Sequence, residues 1–81
     1  MKTYIIVKVY DNNASSNQCA FSSKAKAQKW LDRELESFVE CGYTCERYVK
    51  LGGGVEHSLY KDGVRKHVFY IDEFEVNNEE V

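Results

Sequence analysis

Proline is absent from the 81 residues, tryptophan and methionine occur once each, and there are only three cysteines. Missing proline together with 14% aromatic residues describes a folded globule, not a disordered tail. An odd cysteine count argues against a disulfide framework. No long apolar run exists either. The N-terminal stretch Tyr4-Ile5-Ile6-Val7 is closed by Lys8, which is too short for a signal-peptide core or a bilayer span. Reduced thiols, a cytoplasmic location and no membrane contact are therefore expected. The net charge of −2 provides no whole-protein field toward nucleic acid or an anionic membrane. The length fits one domain with one core. We set this domain at 1–76, followed by a frayed acidic tail over 77–81.

Within those limits the periodicities are clear. Thr3 to Tyr10 alternates, with Thr3, Ile5, Val7 and Val9 on one parity and Tyr4, Ile6, Lys8 and Tyr10 on the other. Apolar character on both faces suits a central strand. Asp11 to Asn17 has the composition of a loop, and Gln18 to Phe21 reads as a short second strand. Ser22 or Ser23 can cap a helix. From Lys24 to Cys41 the period becomes helical, placing Ala27, Leu31, Leu35 and Phe38 on one stripe. Gly42 is positioned to end that helix. Tyr43 to Leu51, Val55 to Lys61 and Val64 to Val76 read as three further strands. Gly52-Gly53-Gly54 and Asp62-Gly63 separate them, the latter a two-residue hairpin signal. The third of these strands is long enough to pair with two neighbours. The expected fold class is α+β, in the order β-(β)-α-β-β-β. One helix covers one face of a four- or five-stranded, mostly antiparallel sheet, and the other face lacks a cover.

Chemistry-bearing motifs are sparse. Cys41 and Cys45 straddle the end of a helix and the start of a strand, a poor spacing for zinc. An undisturbed Asp62-Gly63 hairpin pairs His57 with Val68 and Ser58 with His67, which sends the two histidines to opposite faces. Cys45, His57 and Glu46 supply a nucleophile, a base and an acid, but no motif fixes their geometry. Gly52-Gly53-Gly54 is followed by neither a helix nor Lys-Ser/Thr, so it is not a phosphate loop. No catalytic residue, metal or cofactor is expected.

Two surfaces carry the functional expectation. The first is a tyrosine-rich face of the sheet formed by Tyr4, Tyr10, Tyr48 and Tyr60, joined by an acidic rail of Asp32, Glu36 and Glu40 on the helix. Tyrosines are favoured at binding hot spots, so this reads as a non-enzymatic adaptor or inhibitor binding a protein partner, with a homodimer as one form of it. The second is an anion-binding set of Ser22, Ser23, Lys24, Lys26 and Lys29 at the helix start, with Arg65 and Lys66 near the hairpin. Combined with tyrosine stacking, it suits a nucleic acid or a nucleotide. The bland reading competes with both: single tyrosines mostly pack as amphipathic rings, and charged helix faces are mostly just solvated.

Overall fold

The alternation of Thr3 to Tyr10 becomes β1 (Lys2–Tyr10), with Ile6 fully buried at its centre. A computed structural model describes residues 1–75 of the chain. The expected tail over 77–81 lies outside the described residues. After β1 come β2 (Ser15–Phe21), α1 (Lys24–Glu40), β3 (Thr44–Val49), β4 (Val55–Lys61) and β5 (Val64–Glu75). The five strands form one antiparallel sheet in the order β2-β1-β5-β4-β3. This is the α+β class and element order read from the periodicities, with β1 internal and β5 paired on both sides. The second strand is longer than its composition suggests, because the polar run Ser15-Ser16-Asn17 pairs with Val9, Lys8 and Val7.

Each turn has a local cause. Asn13 adopts φ 68° between β1 and β2, a region asparagine tolerates. The side chain of Asn12 accepts a bond from the Ala14 N–H at 3.0 Å. Asp62 and Gly63 both have positive φ (54° and 78°), as the mirror-image two-residue hairpin requires. At the end of α1, Gly42 takes φ 95°. There the Tyr43 N–H donates to Phe38 and the Gly42 N–H to Val39. The Phe38 and Tyr43 rings then meet edge to face at 5.1 Å, completing a Schellman cap with its hydrophobic contact.

Ser23 caps α1, its Oγ accepting from the Lys26 N–H at 3.5 Å. The first turn of the helix contains no acid and the last turn no base, so its charges oppose the macrodipole. Packing holds it instead. Ala27, Leu31 and Leu35 are buried with Ile6, Leu59 and Phe69, and Trp30, Phe38 and Tyr43 lean on that cluster. α1 lies against β1, β2, β3 and β5. It joins β2 and β3, which run in the same direction at opposite edges of the sheet. Crossing the sheet in this way covers one face, and all six elements contribute no second layer. Among the described residues no helix is long and apolar enough to cross a membrane.

Candidate interaction surface

Strand pairing assigns each side chain to a face, because directly paired residues share one. Ile6 pairs with Cys19 and Ile71, Lys8 with Phe69, Tyr10 with His67, and Tyr4 with Phe21 and Glu73. This set faces α1. The other parity, Thr3, Ile5, Val7 and Val9, pairs with Phe74, Asp72, Tyr70 and Val68. Glu56 and Tyr48 continue the row of Val7 and Tyr70 across β4 and β3. These residues lie on the uncovered face.

The expected tyrosine surface is therefore divided. Tyr4 and Tyr10 do not belong to the uncovered face. Tyr4 packs against the core under α1, and Tyr10 stands edge to face with His67 at 5.8 Å. Tyrosine suits that position because the ring fills the flank of the helix while the hydroxyl reaches water. Tyr48 and Tyr60 are on the uncovered face. They line one shallow depression of about 280 Å³ with Glu46, Glu56, Ser58 and Arg65. Tyr48 is 60% exposed. Sequence reasoning missed Tyr70, Phe74, Ile5, Val9 and Val68. The available signal was the parity of β1 itself: its cleaner aliphatic side is the one left bare.

The acidic rail is also separated from this surface. Asp32, Glu36 and Glu40 are exposed on α1, which occupies the opposite side of the sheet. A partner seated on the bare sheet does not reach them. The anion-binding set splits in the other direction. Ser22, Ser23, Lys24, Lys26 and Lys29 are at the end of the sheet where β2 finishes, while Arg65 and Lys66 are where β5 begins. The 17 residues of α1 span the distance between those ends, about 25 Å at the usual helical rise. One phosphate cannot touch both halves.

On the helix side a cleft of about 140 Å³ opens between the start of α1 and the glycine loop, bringing Tyr4, Lys24, Gln28, His57 and Glu73 together over Leu31 and Ile71. Much of its polarity is already satisfied within the chain. Gln28 donates to Asp32 at 2.8 Å, and Glu73 is paired with Lys2 at 3.4 Å. Burial lowers the His57 pKa, and Arg47 lowers it further against an opposing pull from Asp32.

The candidate nucleophile does not assemble. Cys45 faces the helix side beside Leu59, whereas Glu46 is on the bare face. Burial pushes the Cys45 thiol pKa up, the reverse of what an activated nucleophile needs. Cys19, Cys41 and Cys45 are all free. Among the described residues no three His, Cys, Asp or Glu side chains are grouped to hold a metal ion. The chain matches no family model, no curated protein and no solved structure.

The bare face is thus an aliphatic stripe along β1, extended by Val68, Tyr70 and Phe74 on β5 and interrupted by Asp72 opposite Ile5. On one flank are the neutral Ser15, Asn17 and Ala20 of β2. On the other are Glu46, Glu56, Tyr48 and Tyr60 of β3 and β4. Lys50 binds Glu56 at 3.1 Å and places its ammonium 5.9 Å from the Tyr70 ring centre.

Proposed function

We propose that the chain is a small non-enzymatic interaction module that binds a protein through the uncovered face of its sheet. The observation that carries this reading is the orientation of β1. Its most aliphatic parity (Ile5, Val7 and Val9) faces away from α1, beside Val68, Tyr70 and Phe74; Val7 is only 5% exposed, Ile5, Val9, Val68 and Tyr70 are half-buried, and Phe74 is 47% exposed. The part of that parity still in water forfeits about 25 cal/mol for each Å² left wet. A partner that covers it recovers the loss. Tyr48, Tyr60 and Tyr70 then provide rigid amphipathic contacts at the border of the stripe. The cytoplasmic placement goes with this reading and rests on the three unpaired thiols.

The nucleic-acid reading has less support. The bases it requires are at opposite ends of the fold, and Glu46, Glu56 and Asp72 share the bare face with Tyr48, Tyr60 and Tyr70. Partner capture from the native cell, quantified with and without nuclease, tests both readings. The bound protein should survive nuclease and be lost with the double substitution Tyr48→Ser, Tyr70→Ser. Asp32→Ser with Glu36→Ser, on the far side, should retain it. Capture that is abolished by nuclease, or that ignores the tyrosine pair, overturns the proposal.

A further inference from the structure

The sheet ends in two edges, β2 and β3, and they are built differently. On β2 the pairing slips between Ile6 and Val7, which leaves Gln18 as an extra residue and the edge bulged. The Gln18 side chain also donates to the Ser16 carbonyl at 3.5 Å. A bulge blunts an edge against further pairing. β3 lacks that device. Thr44 to Val49 pair with Tyr60 to Val55 residue for residue, and every residue of the strand except Cys45 is exposed.

The ladder decides which main-chain groups point outward. At the turn the Lys50 N–H donates to Gly54 at 2.7 Å. Bonded and non-bonded pairs alternate along an antiparallel ladder, so Tyr48, Glu46 and Thr44 bond inward to β4. Cys45, Arg47 and Val49 turn their N–H and C=O groups outward, where the sheet has no further strand. Side chains alternate as well, with Glu46 and Tyr48 on the bare face and Cys45, Arg47 and Val49 on the α1 side. Neither Glu46 nor Arg47 enters an ion pair among the described residues. Tyr48, Val49 and Leu51, just beyond the strand, are large apolar side chains left exposed.

We infer that β3 is a docking edge for an extended segment of a partner protein, added antiparallel as a further strand. This goes beyond the reading of the bare face, because it does not require the β1 stripe to be covered. Bonds to the main chain of Cys45, Arg47 and Val49 attach the segment, and cross-strand side chains select its sequence. The residue opposite Glu46 is basic and the one opposite Arg47 acidic. Opposite Tyr48 an aromatic or β-branched residue fits, and opposite Val49 and Cys45 an apolar one. From its N-terminus the segment therefore reads apolar, aromatic, acidic, basic, apolar.

A second copy of the chain does not meet that description. Two-fold pairing of β3 with itself keeps both bare faces on one side, so only residues of equal parity meet. Registers centred on the middle of β3 then set Glu46 against Glu46 or Arg47 against Arg47, and like charges directly opposite are destabilising. The two charges bar self-pairing and admit a strand of the complementary order.

The experiment is an NMR titration of the full chain with a peptide whose core is Val-Tyr-Glu-Lys-Val, and with the charge-swapped Val-Tyr-Lys-Glu-Val. The first should bind and slow amide exchange at Cys45, Arg47 and Val49. The amides of Thr44, Glu46 and Tyr48, already bonded to β4, should change little. The swapped peptide should bind about tenfold more weakly. Glu46→Lys combined with Arg47→Glu should reverse the preference, with circular dichroism verifying the fold. Should that variant fail to fold, Glu46→Gln with Arg47→Gln should erase the preference instead. Tyr70→Ser, on the bare face, should leave the peptide affinity unchanged. No binding of either peptide at millimolar concentration overturns the edge inference alone, since partner capture tests the bare face separately. So does protection away from β3, or a preference that ignores the charge exchange. Loss of the peptide with Tyr70→Ser moves the contact onto the bare face and also overturns edge docking.

Discussion

His67 stands directly opposite Leu59 across the β4–β5 ladder, on the face that packs against α1. An unbroken two-residue hairpin would put Ser58 there. The pairing instead jumps between Leu59 and Tyr60, because Tyr60 faces Arg65 while Leu59 faces His67, and Lys66 is the extra residue. One inserted residue moves every later side chain of β5 to the other face. As a result His57, paired with Phe69, and His67 share the helix side. His67 is drawn into a ring cluster with Tyr10, Phe38 and Tyr43 at 5.8, 5.4 and 6.0 Å. Beside it the Lys8 ammonium is 5.0 Å from Tyr10, 5.3 Å from Phe38 and 5.7 Å from Phe69.

That placement makes the fold sensitive to acid. Burial lowers the His67 pKa first, then Lys8; Lys66 adds to this and Asp11 opposes it. Its Nδ1 is buried and has no hydrogen-bond partner among the described residues. A base whose folded pKa is below its unfolded value binds more protons when unfolded. Stability is therefore full above about pH 6.5 and falls as the pH drops toward the folded value. His57 contributes with the same sign. Urea midpoints should decline between about pH 7.5 and about pH 5.5. His67→Phe should reduce that decline, and Lys8→Met should raise the His67 pKa followed by ring-proton NMR. A midpoint independent of pH over this range would contradict the placement.

The helix register makes a second prediction. Leu31 is 1% exposed in the cluster with Ile6 and Phe69, whereas Val39 on the same helix is 49% exposed. Leu31→Ala should cost about 2–5 kcal/mol, through lost burial and the cavity left behind. Val39→Ala should stay within about 0.5 kcal/mol, like other exposed substitutions. Urea unfolding followed by Trp30 fluorescence measures both. Equal effects would mean that the stripe is misassigned.

Much of the fold was legible in the sequence, since each boundary has a local cause. The helical stripe ends at Gly42 and the last hairpin is announced by Asp62-Gly63. The candidate surface was only half legible. Two face assignments decide it, and neither is a local property. The bulge at Lys66 has no marker in composition, because lysine serves an exposed strand and a bulge equally well. The turning of β1 depends on what α1 brings to it. Ile6 is buried with Leu31; Tyr4, Trp30 and Phe38 pack against that cluster; and Tyr10 and Phe38 both stand against His67, so the mixed parity goes inward. A rule that buries the most aliphatic parity under the helix fails here, because α1 packs on the mixed one.

Thiol chemistry provides the last prediction, and it tests the non-enzymatic reading. Cys41 is exposed at the C-cap of α1, while Cys45 is half-buried on β3 against the core. Only the thiolate reacts with an alkylating agent, so rate follows both exposure and pKa. Burial raises the Cys45 pKa, so both factors act in the same direction. Iodoacetamide at neutral pH should label Cys41 well before Cys45, and full unfolding in urea should bring the two rates together. Site-resolved mass spectrometry over a time course reads the order. Adding zinc should leave the order unchanged, because neither thiol is grouped with other ligands among the described residues. A Cys45 that reacts faster than Cys41 in the folded protein would mean a stabilised thiolate. His57, diagonally across the β3–β4 ladder on the same face, would then be the group that stabilises it, and the chain would have to be reconsidered as a cysteine-dependent enzyme.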